Sequence, residues 1–439
     1  MQNREGVREI STGMQREVLE VIQSAVKYGA SDIHVGLEDG KCIIRIRVHG
    51  IMFNHELFDE KYGQEFVRAA FNLSDITEAN DAQLTYAAGR ISSKTRPLPP
   101  AIESVRLQFN PLANKGRYLV MRLHYKNPAA NMHDLDALGY NAHHVRLLSR
   151  LRNTPTGMIL FAGPTGSGKS TSNRMNLEKI WQEKNGEVAI LSVEDPPEAR
   201  IRGVKQIPVS SAQGSAARKA KFDEAISSAL RSDPDIIMIG EIRDLESANL
   251  AIQASMTGHQ VWTTLHANDA MSVPGRLKDI GVADYKVYDH SAMIGLCGQR
   301  LVKKLCPQCR VPVRDAAKSG TISEDLLEEV NRILKPDRFP VYSRGPGCKY
   351  CIKGIVGRTA IAEVLIPDER FMTYLRVGDK TLAREYWIHT MDGFTMFDHA
   401  LTWVAMGLIG PEEYLNVLGE MIPPSKPSIL EKIILPRAE

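Results

Sequence analysis

Nine residues constrain this chain more than any others: Gly163-Pro164-Thr165-Gly166-Ser167-Gly168-Lys169-Ser170-Thr171. They follow the apolar run Met158-Ile159-Leu160-Phe161-Ala162, so the order is strand, glycine-rich loop, helix start. That context separates a phosphate-binding loop from an ordinary glycine-rich turn. The glycines let the backbone curl until several N–H groups point at one anion. The N-terminus of the following helix adds its positive dipole end. Lys169 is placed to neutralise the β- and γ-oxygens of a nucleoside triphosphate such as ATP, and the Ser170 hydroxyl to take one position on Mg²⁺.

At 439 residues the chain exceeds one ordinary core. A net charge of +3 gives no global attraction to nucleic acid or to an anionic membrane. The local basic clusters, Lys303-Lys304 and Arg45 with Arg47, read as solvated edges. Residues 1–13 are charged and polar and lack the apolar core of a signal peptide. No segment approaches the ~18 consecutive apolar residues of a membrane span. A cytoplasmic protein is expected, reaching a membrane only through partners.

Residues 15–28 show helical spacing at Val18, Leu19, Ile22 and Val26. Alternation over Ile43–Val48 predicts a strand ending at His49-Gly50, and a helix is expected near 63–73. Strand-like runs recur at 104–109 and 118–123, so residues 1–125 read as a small α+β domain. From 126 to 136 periodicity is lost, which predicts a linker. Beyond it, apolar strands end at Phe161-Ala162, at Ile190–Val193 and at Ile236–Ile239, with a fourth at Gln260–Thr264. Continuous apolar runs between helical stretches predict a parallel sheet covered on both faces, an α/β core over 137–300. A cysteine module is expected over 301–360, and a mostly helical region over 361–439.

Hydrolysis needs a base near the γ-phosphate. In Asp235-Ile236-Ile237-Met238-Ile239-Gly240-Glu241 an apolar strand ends in a carboxylate. Gly240 stands where Asp is common, so the acidic role falls to Glu241. The alternative for Glu241 is a carboxylate that complements a helix dipole. Glu194, in Glu194-Asp195-Pro196, supplies a second acid at the carboxyl edge of the preceding strand, where parallel sheets hold their ligands. His259 and His266 flank the fourth strand, where they can either sense a γ-phosphate or serve the structure.

The order of these four motifs resembles the secretion ATPase superfamily, the motors of type II secretion and type IV pilus assembly, with retraction and type IV secretion relatives. Its members name them Walker A, Asp box, Walker B and His box. The likeness runs from Ala30-Ser31-Asp32-Ile33-His34 nearly to the end of the chain. It implies a RecA-like P-loop core, a small α+β (PAS-like) N-terminal domain, a zinc-binding insertion and a helical C-terminal region. It also implies that N-terminal arginines reach the γ-phosphate. The matching positions are Arg106 in Ser104-Val105-Arg106-Leu107 and Arg122 in Val120-Met121-Arg122-Leu123, with Arg90 a weaker match. An arginine finger is worth about 10³ to 10⁵ in rate; the other reading is strand-surface salt bridges. This chain departs from the family at His49, which replaces an acid, and at Pro197, which replaces an apolar residue. It matches without the extra N-terminal domain that many assembly members use for docking.

Cys306-Pro307-Gln308-Cys309 and Cys348-Lys349-Tyr350-Cys351 form two C-x-x-C pairs, and four thiolates suit a closed tetrahedral Zn²⁺ site. A redox dithiol is the competing reading. Cys42 and Cys297 read as buried apolar thiols. Around the pairs, Gln299-Arg300-Leu301-Val302 and Gly354-Ile355-Val356-Gly357-Arg358 resemble assembly-type members, whereas retraction members generally lack the cysteines. The resemblance implies a homohexameric ATP hydrolase acting on an inner-membrane platform protein, and near-neutral charge without a basic, aromatic-rich strip argues against direct nucleic-acid contact. The alternatives are a pilus retraction ATPase and a conjugative type IV secretion ATPase.

Overall fold

The computed structural model describes residues 13–75, 86–113, 116–126, 135–209, 215–431 and 433. Most of the expected linker, 127–134, lies outside them. The chain divides into two compact units, the first built by residues up to 126 with Glu198–Arg200 assigned to it, the second by the rest.

The first unit contains α1 (Gly13–Lys27), β1 (Asp32–Glu38), β2 (Lys41–Val48), β3 (Ile51–Asp59), α2 (Glu60–Leu73), β4 (Ala87–Ser92), β5 (Ile102–Pro111) and β6 (Arg117–Tyr125). Its strands make an antiparallel sheet of order β3-β2-β1-β6-β5-β4. Alternation sorts the two faces. Ile33, Ile46, Leu107 and Met121 are buried, with Val18 and Ile22 of α1 and Phe66 of α2 also in the core. The register aligns Arg47, Asp32, Arg122, Arg106 and Arg90 across five neighbouring strands. Arg122, Arg106 and Arg90 are exposed, and Arg122 Nε donates to Asp32 Oδ1 at 2.9 Å. Burial, then the positive charges of Arg90, Arg122 and Arg106, lower the pKa of His124. His49 (φ 51°) and Gly50 (φ 80°) make the two-residue turn between β2 and β3. Such a turn needs positive φ, a conformation enriched in Asp, Asn and His, so the turn tolerates His49 in place of an acid.

The second unit opens with α3 (Leu135–Leu138), α4 (Ala142–Arg152), β7 (Gly157–Ala162), α5 (Lys169–Glu183), β8 (Ile190–Glu194), β9 (Val204–Pro208), α6 (Ser215–Leu230) and β10 (Ile236–Ile239). It continues with α7 (Leu245–Met256), β11 (Gln260–Leu265), α8 (Val273–Asp279), α9 (Asp284–Val287), β12 (Met293–Leu305), β13 (Val311–Pro312), α10 (Val313–Lys318) and α11 (Glu324–Leu334). It ends with β14 (Tyr342–Ser343), β15 (Ile355–Leu365), α12 (Glu369–Arg376), α13 (Lys380–His389), α14 (Met396–Ala405), α15 (Pro411–Leu418) and α16 (Ser428–Glu431). The main sheet runs β15-β12-β7-β11-β10-β8-β9. Its strands are parallel except β15, which is antiparallel to β12. The α/β core with a two-faced sheet is therefore as expected, but the sheet also takes in β9, β12 and β15. Residues 361–365 are strand, not helix, because Ile361, Ala362, Val364 and Leu365 bury themselves against the sheet. Successive residues feed opposite cores: Met158 and Leu160 join one, Ile159 and Phe161 the other. A third core unites Val330 of α11 with Leu401, Val404 and Tyr414 of the C-terminal helices. Among the described residues no helix is long and apolar enough to cross a membrane.

Behind this sheet lie two buried imidazoles, His144 and His399, with ring centroids 4.7 Å apart. His399 Nδ1 accepts from the Ala362 N–H at 3.0 Å. Burial drives His399 down to about 4. Burial, then His399 and His143, hold the His144 pKa well below its ordinary value. The unfolded chain therefore binds more protons than the folded one below the ordinary histidine range. Stability is complete above about pH 6.5 and is lost as pH falls toward 4, by up to about 3 kcal/mol for His399 alone. Urea midpoints taken between pH 7.5 and 4.5 should fall with pH, and the fall should shrink in His399→Gln.

Candidate active site

Strand β7 is buried along its whole length, and its carboxyl end runs straight into the glycine-rich loop. Gly168 is the N-cap of α5 at φ 89°, and it offers no side-chain cap. The first N–H groups of α5 are thus left without the side-chain partner that a Ser or Asp cap would give. Lys169 is buried, and its Nζ donates to the carbonyls of Gly163 at 2.7 Å and Pro164 at 3.0 Å. Ser167 Oγ is buried with no hydrogen-bond partner. An orphaned hydroxyl, an uncapped helix start and a turned-in ammonium make a cradle that fits a phosphate chain. Ser170 is exposed at the first turn of α5, within the chemistry of a Mg²⁺ ligand.

The order β7-β11-β10-β8 brings the other motifs to the same carboxyl edge. Ala162 pairs with Leu265, and Ile239 pairs with both Thr263 and Val193. Glu241 and His266 leave the ends of β10 and β11 and meet, His266 Nε2 lying 3.0 Å from Glu241 Oε1. Arg243 Nε lies 3.3 Å from the other Glu241 oxygen, while its Nη1 donates to half-buried Asp195 at 3.1 Å. Glu194 is buried, and its Oε1 accepts from Ser192 Oγ at 2.6 Å and Gln206 Nε2 at 2.9 Å. A Cβ at Gly240 would stand 3.7 Å from Glu194 Cγ. A carboxylate on residue 240 would therefore stand close to that of Glu194.

Both strand-end histidines were expected at this edge, and His259 is not there. It precedes β11 at the amino edge, with Nδ1 beside the Ala254 carbonyl at 3.2 Å. The six residues of β11 separate it from His266 by roughly 20 Å. A flanking position on a strand of this length puts the two rings at opposite edges.

Gln299 on β12 had drawn attention only as part of a motif, yet it carries the loop. It is 1% exposed. Its Nε2 donates to the Ser167 carbonyl at 2.8 Å. Its Oε1 accepts from Tyr140 at 2.6 Å and from Ser172 Oγ at 2.7 Å. A Cβ on Gly163 would fall 2.3 Å from the Gln299 carbonyl, and one on Gly168 2.7 Å from its side-chain nitrogen. These two glycines are thus needed from beneath the loop. Arg243, Gln206 and Gln299 are lone polar residues with no diagnostic spacing, which is why sequence reasoning assigned them no role.

The cysteine pairs meet although 42 positions separate Cys306 from Cys348. Leu305 of β12 pairs with Ile355 of β15, so both C-x-x-C turns grow from one end of an antiparallel pair. All four sulfurs lie within 4.8 Å of one another. The Cys306–Cys348, Cys309–Cys351 and Cys348–Cys351 separations are each 3.7 Å. Tetrahedral zinc with Zn–S bonds of ~2.3 Å sets its sulfurs about 3.8 Å apart, so the cluster fits that ion. Cys42 and Cys297 are buried, as expected, and burial pushes the Cys42 thiol up to about 11.

A family model described as type II/IV secretion system protein matches residues 10–416. The chain belongs to that family. Among its relatives, the type II secretion system ATPase E of Vibrio cholerae is 34% identical over 405 residues, 91% of this chain and 74% of that protein. The type IV pilus assembly ATPase PilB of Acinetobacter baylyi is 34% identical over 349 residues, 78% of this chain and 55% of that protein. Among solved structures, the Legionella pneumophila ATPase DotB superposes with a TM-score of 0.63 at 18% identity, over 94% of this chain and 98% of that one. The pilus retraction motor PilT, solved with ADP, gives 0.57 at 23% identity, over 94% and 99%. These two likenesses show a shared fold. Within this family member, the approach of Gln299 to Gly163 gives a direct test of the loop geometry. Gly163→Ala should destabilise the protein by about 2 kcal/mol through overpacking, read as a lower urea midpoint at unchanged slope.

Proposed function

We propose that this secretion-family chain is an ATP-hydrolysing motor that drives pilin or pseudopilin assembly, or protein secretion. The observation that carries the reading is the meeting of Glu241 and His266, 3.0 Å apart, at the sheet edge where the Gly163–Thr171 loop opens. The loop binds the triphosphate, and Lys169 leaves its carbonyl partners for the β- and γ-oxygens. Ser170 would hold Mg²⁺, which would neutralise phosphate charge. Glu241 takes a proton from the attacking water as its oxygen bonds to the γ-phosphorus and the bond to ADP breaks. His266 orients Glu241, and Glu194 assists from its buried site. Arg106 and Arg122 supply positive charge to the γ-phosphate, from this subunit or a neighbour, a role consistent with their exposed row. The working parts are the 1–125 domain, the 126–136 hinge, the 137–300 core, the 301–360 zinc module and the 361–439 helices. The names of the Vibrio and Acinetobacter relatives support the motor's task. A cytoplasmic homohexamer on an inner-membrane platform protein completes the reading, with the membrane reached through that partner.

Glu241→Gln should bind ATP with near-normal affinity while phosphate release falls about 10² to 10⁴-fold. Near-normal turnover would remove Glu241 as the base. The four-cysteine cluster favours the assembly reading over retraction. Elemental analysis should find one zinc per chain, lost in Cys348→Ser together with a lower melting temperature. A folded, metal-free wild type would count against the zinc module.

A further inference from the structure

We propose that Gln299 is a positioning residue for the phosphate loop, one that aims the Gly168 N–H at the nucleotide. The inference rests on the reading of this loop as an ATP site. A trans peptide holds its C=O and N–H in one plane, pointing opposite ways. The Ser167 carbonyl accepts from Gln299 Nε2 at 2.8 Å, on the β12 side of the loop. The N–H of the same peptide unit belongs to Gly168, and it must face away from β12. Gly168 caps α5 at a φ of 89°, so that peptide has wide conformational freedom unless something clamps it. Gln299 is the clamp.

The clamp is itself fixed. An amide side chain can turn over, exchanging its donor and acceptor ends. Here the oxygen end is held by two hydroxyls, Tyr140 at 2.6 Å and Ser172 Oγ at 2.7 Å. All three side chains are buried, and Tyr140 and Ser172 also meet at 3.1 Å. With the oxygen committed, the NH₂ end is left to the loop. Ser172 lies in the first turn of α5, so the same amide ties loop and helix to one strand. The lysine and the hydroxyl ligand of the motif act on the phosphates directly; Gln299 acts through the backbone.

The test uses the full chain and a fluorescent ATP analogue. Gln299→Glu keeps an acceptor for Tyr140 and Ser172 but sets a carboxylate against the Ser167 carbonyl. At pH 8 it should weaken nucleotide binding about tenfold or more, the scale of one hydrogen bond to a charged group. A protonated Glu regains a donor, so the ratio of variant to wild-type affinity should recover as pH falls toward 6. A purely structural role would lower the melting temperature without that pH-dependent recovery. Wild-type affinity in folded Gln299→Glu at pH 8 would overturn the inference. Should that variant not fold, Tyr140→Phe with Ser172→Ala frees the amide oxygen while leaving Gly163–Thr171 intact. About threefold weaker binding is expected there, and unchanged affinity would overturn the inference. If wild type itself fails to bind the analogue, the ATP-site reading fails instead.

Discussion

The pairing of β12 on both its sides organises the second unit. Its first half lies parallel to β7 and backs the phosphate loop. Along its length it lies antiparallel to β15, and the end of that pair carries the four cysteines. One thirteen-residue strand thus sets both the floor of the loop and the geometry of the metal cluster. Glu363 extends the arrangement from β15. Its buried carboxylate accepts from the Ala270 N–H at 2.8 Å and the Met396 N–H at 3.1 Å. It thereby joins the segment after His266 to the start of α14. Burial, then the charge of Asp269, raises it to about 7. The C-terminal helices are packed into this framework.

In the second unit the strands legible in the sequence were those buried on both faces, whereas in the first Ile43–Val48, 104–109 and 118–123 were legible by their alternation. The runs at 158–162, 190–193 and 236–239 contain little but apolar residues, since helices cover the sheet on both sides, and at 260–264 Val261 and Trp262 stand among buried Gln260, Thr263 and Thr264. Strand β12 was not legible, because Gly295, Gly298, Gln299, Arg300, Lys303 and Lys304 interrupt it. Those residues answer to tertiary demands: Gly298 makes room for Glu363, and Gln299 holds the loop. In the first unit β3 was missed because it is an edge strand whose residues are only partly buried. Edges relax the alternation on which strand reading depends.

The candidate site divides in the same way. Glu241, Glu194, His266 and the loop residues were legible because strand ends at the carboxyl edge of a parallel sheet converge by topology. Their orienting partners were not, because a hydrogen bond between distant residues leaves no periodic trace. Arg243 bridges Glu241 and Asp195, and Gln206 reaches Glu194 only because β9 pairs with β8. The cysteine pairs were legible as a cluster despite their long intervening loop, since strand pairing closes that loop.

The arginine row has a consequence for how the first unit responds to its medium. Neighbouring strands lie about 4.8 Å apart, so Arg106 stands well inside the Debye length of ~10 Å at 0.1 M salt from both Arg122 and Arg90. Asp32 balances only one end of the row. The exposed face therefore stores self-repulsion in the folded state, and dissolved electrolyte relieves it. Added sodium chloride should mute repulsion along this row, where in other domains the same salt erodes favourable ion pairs.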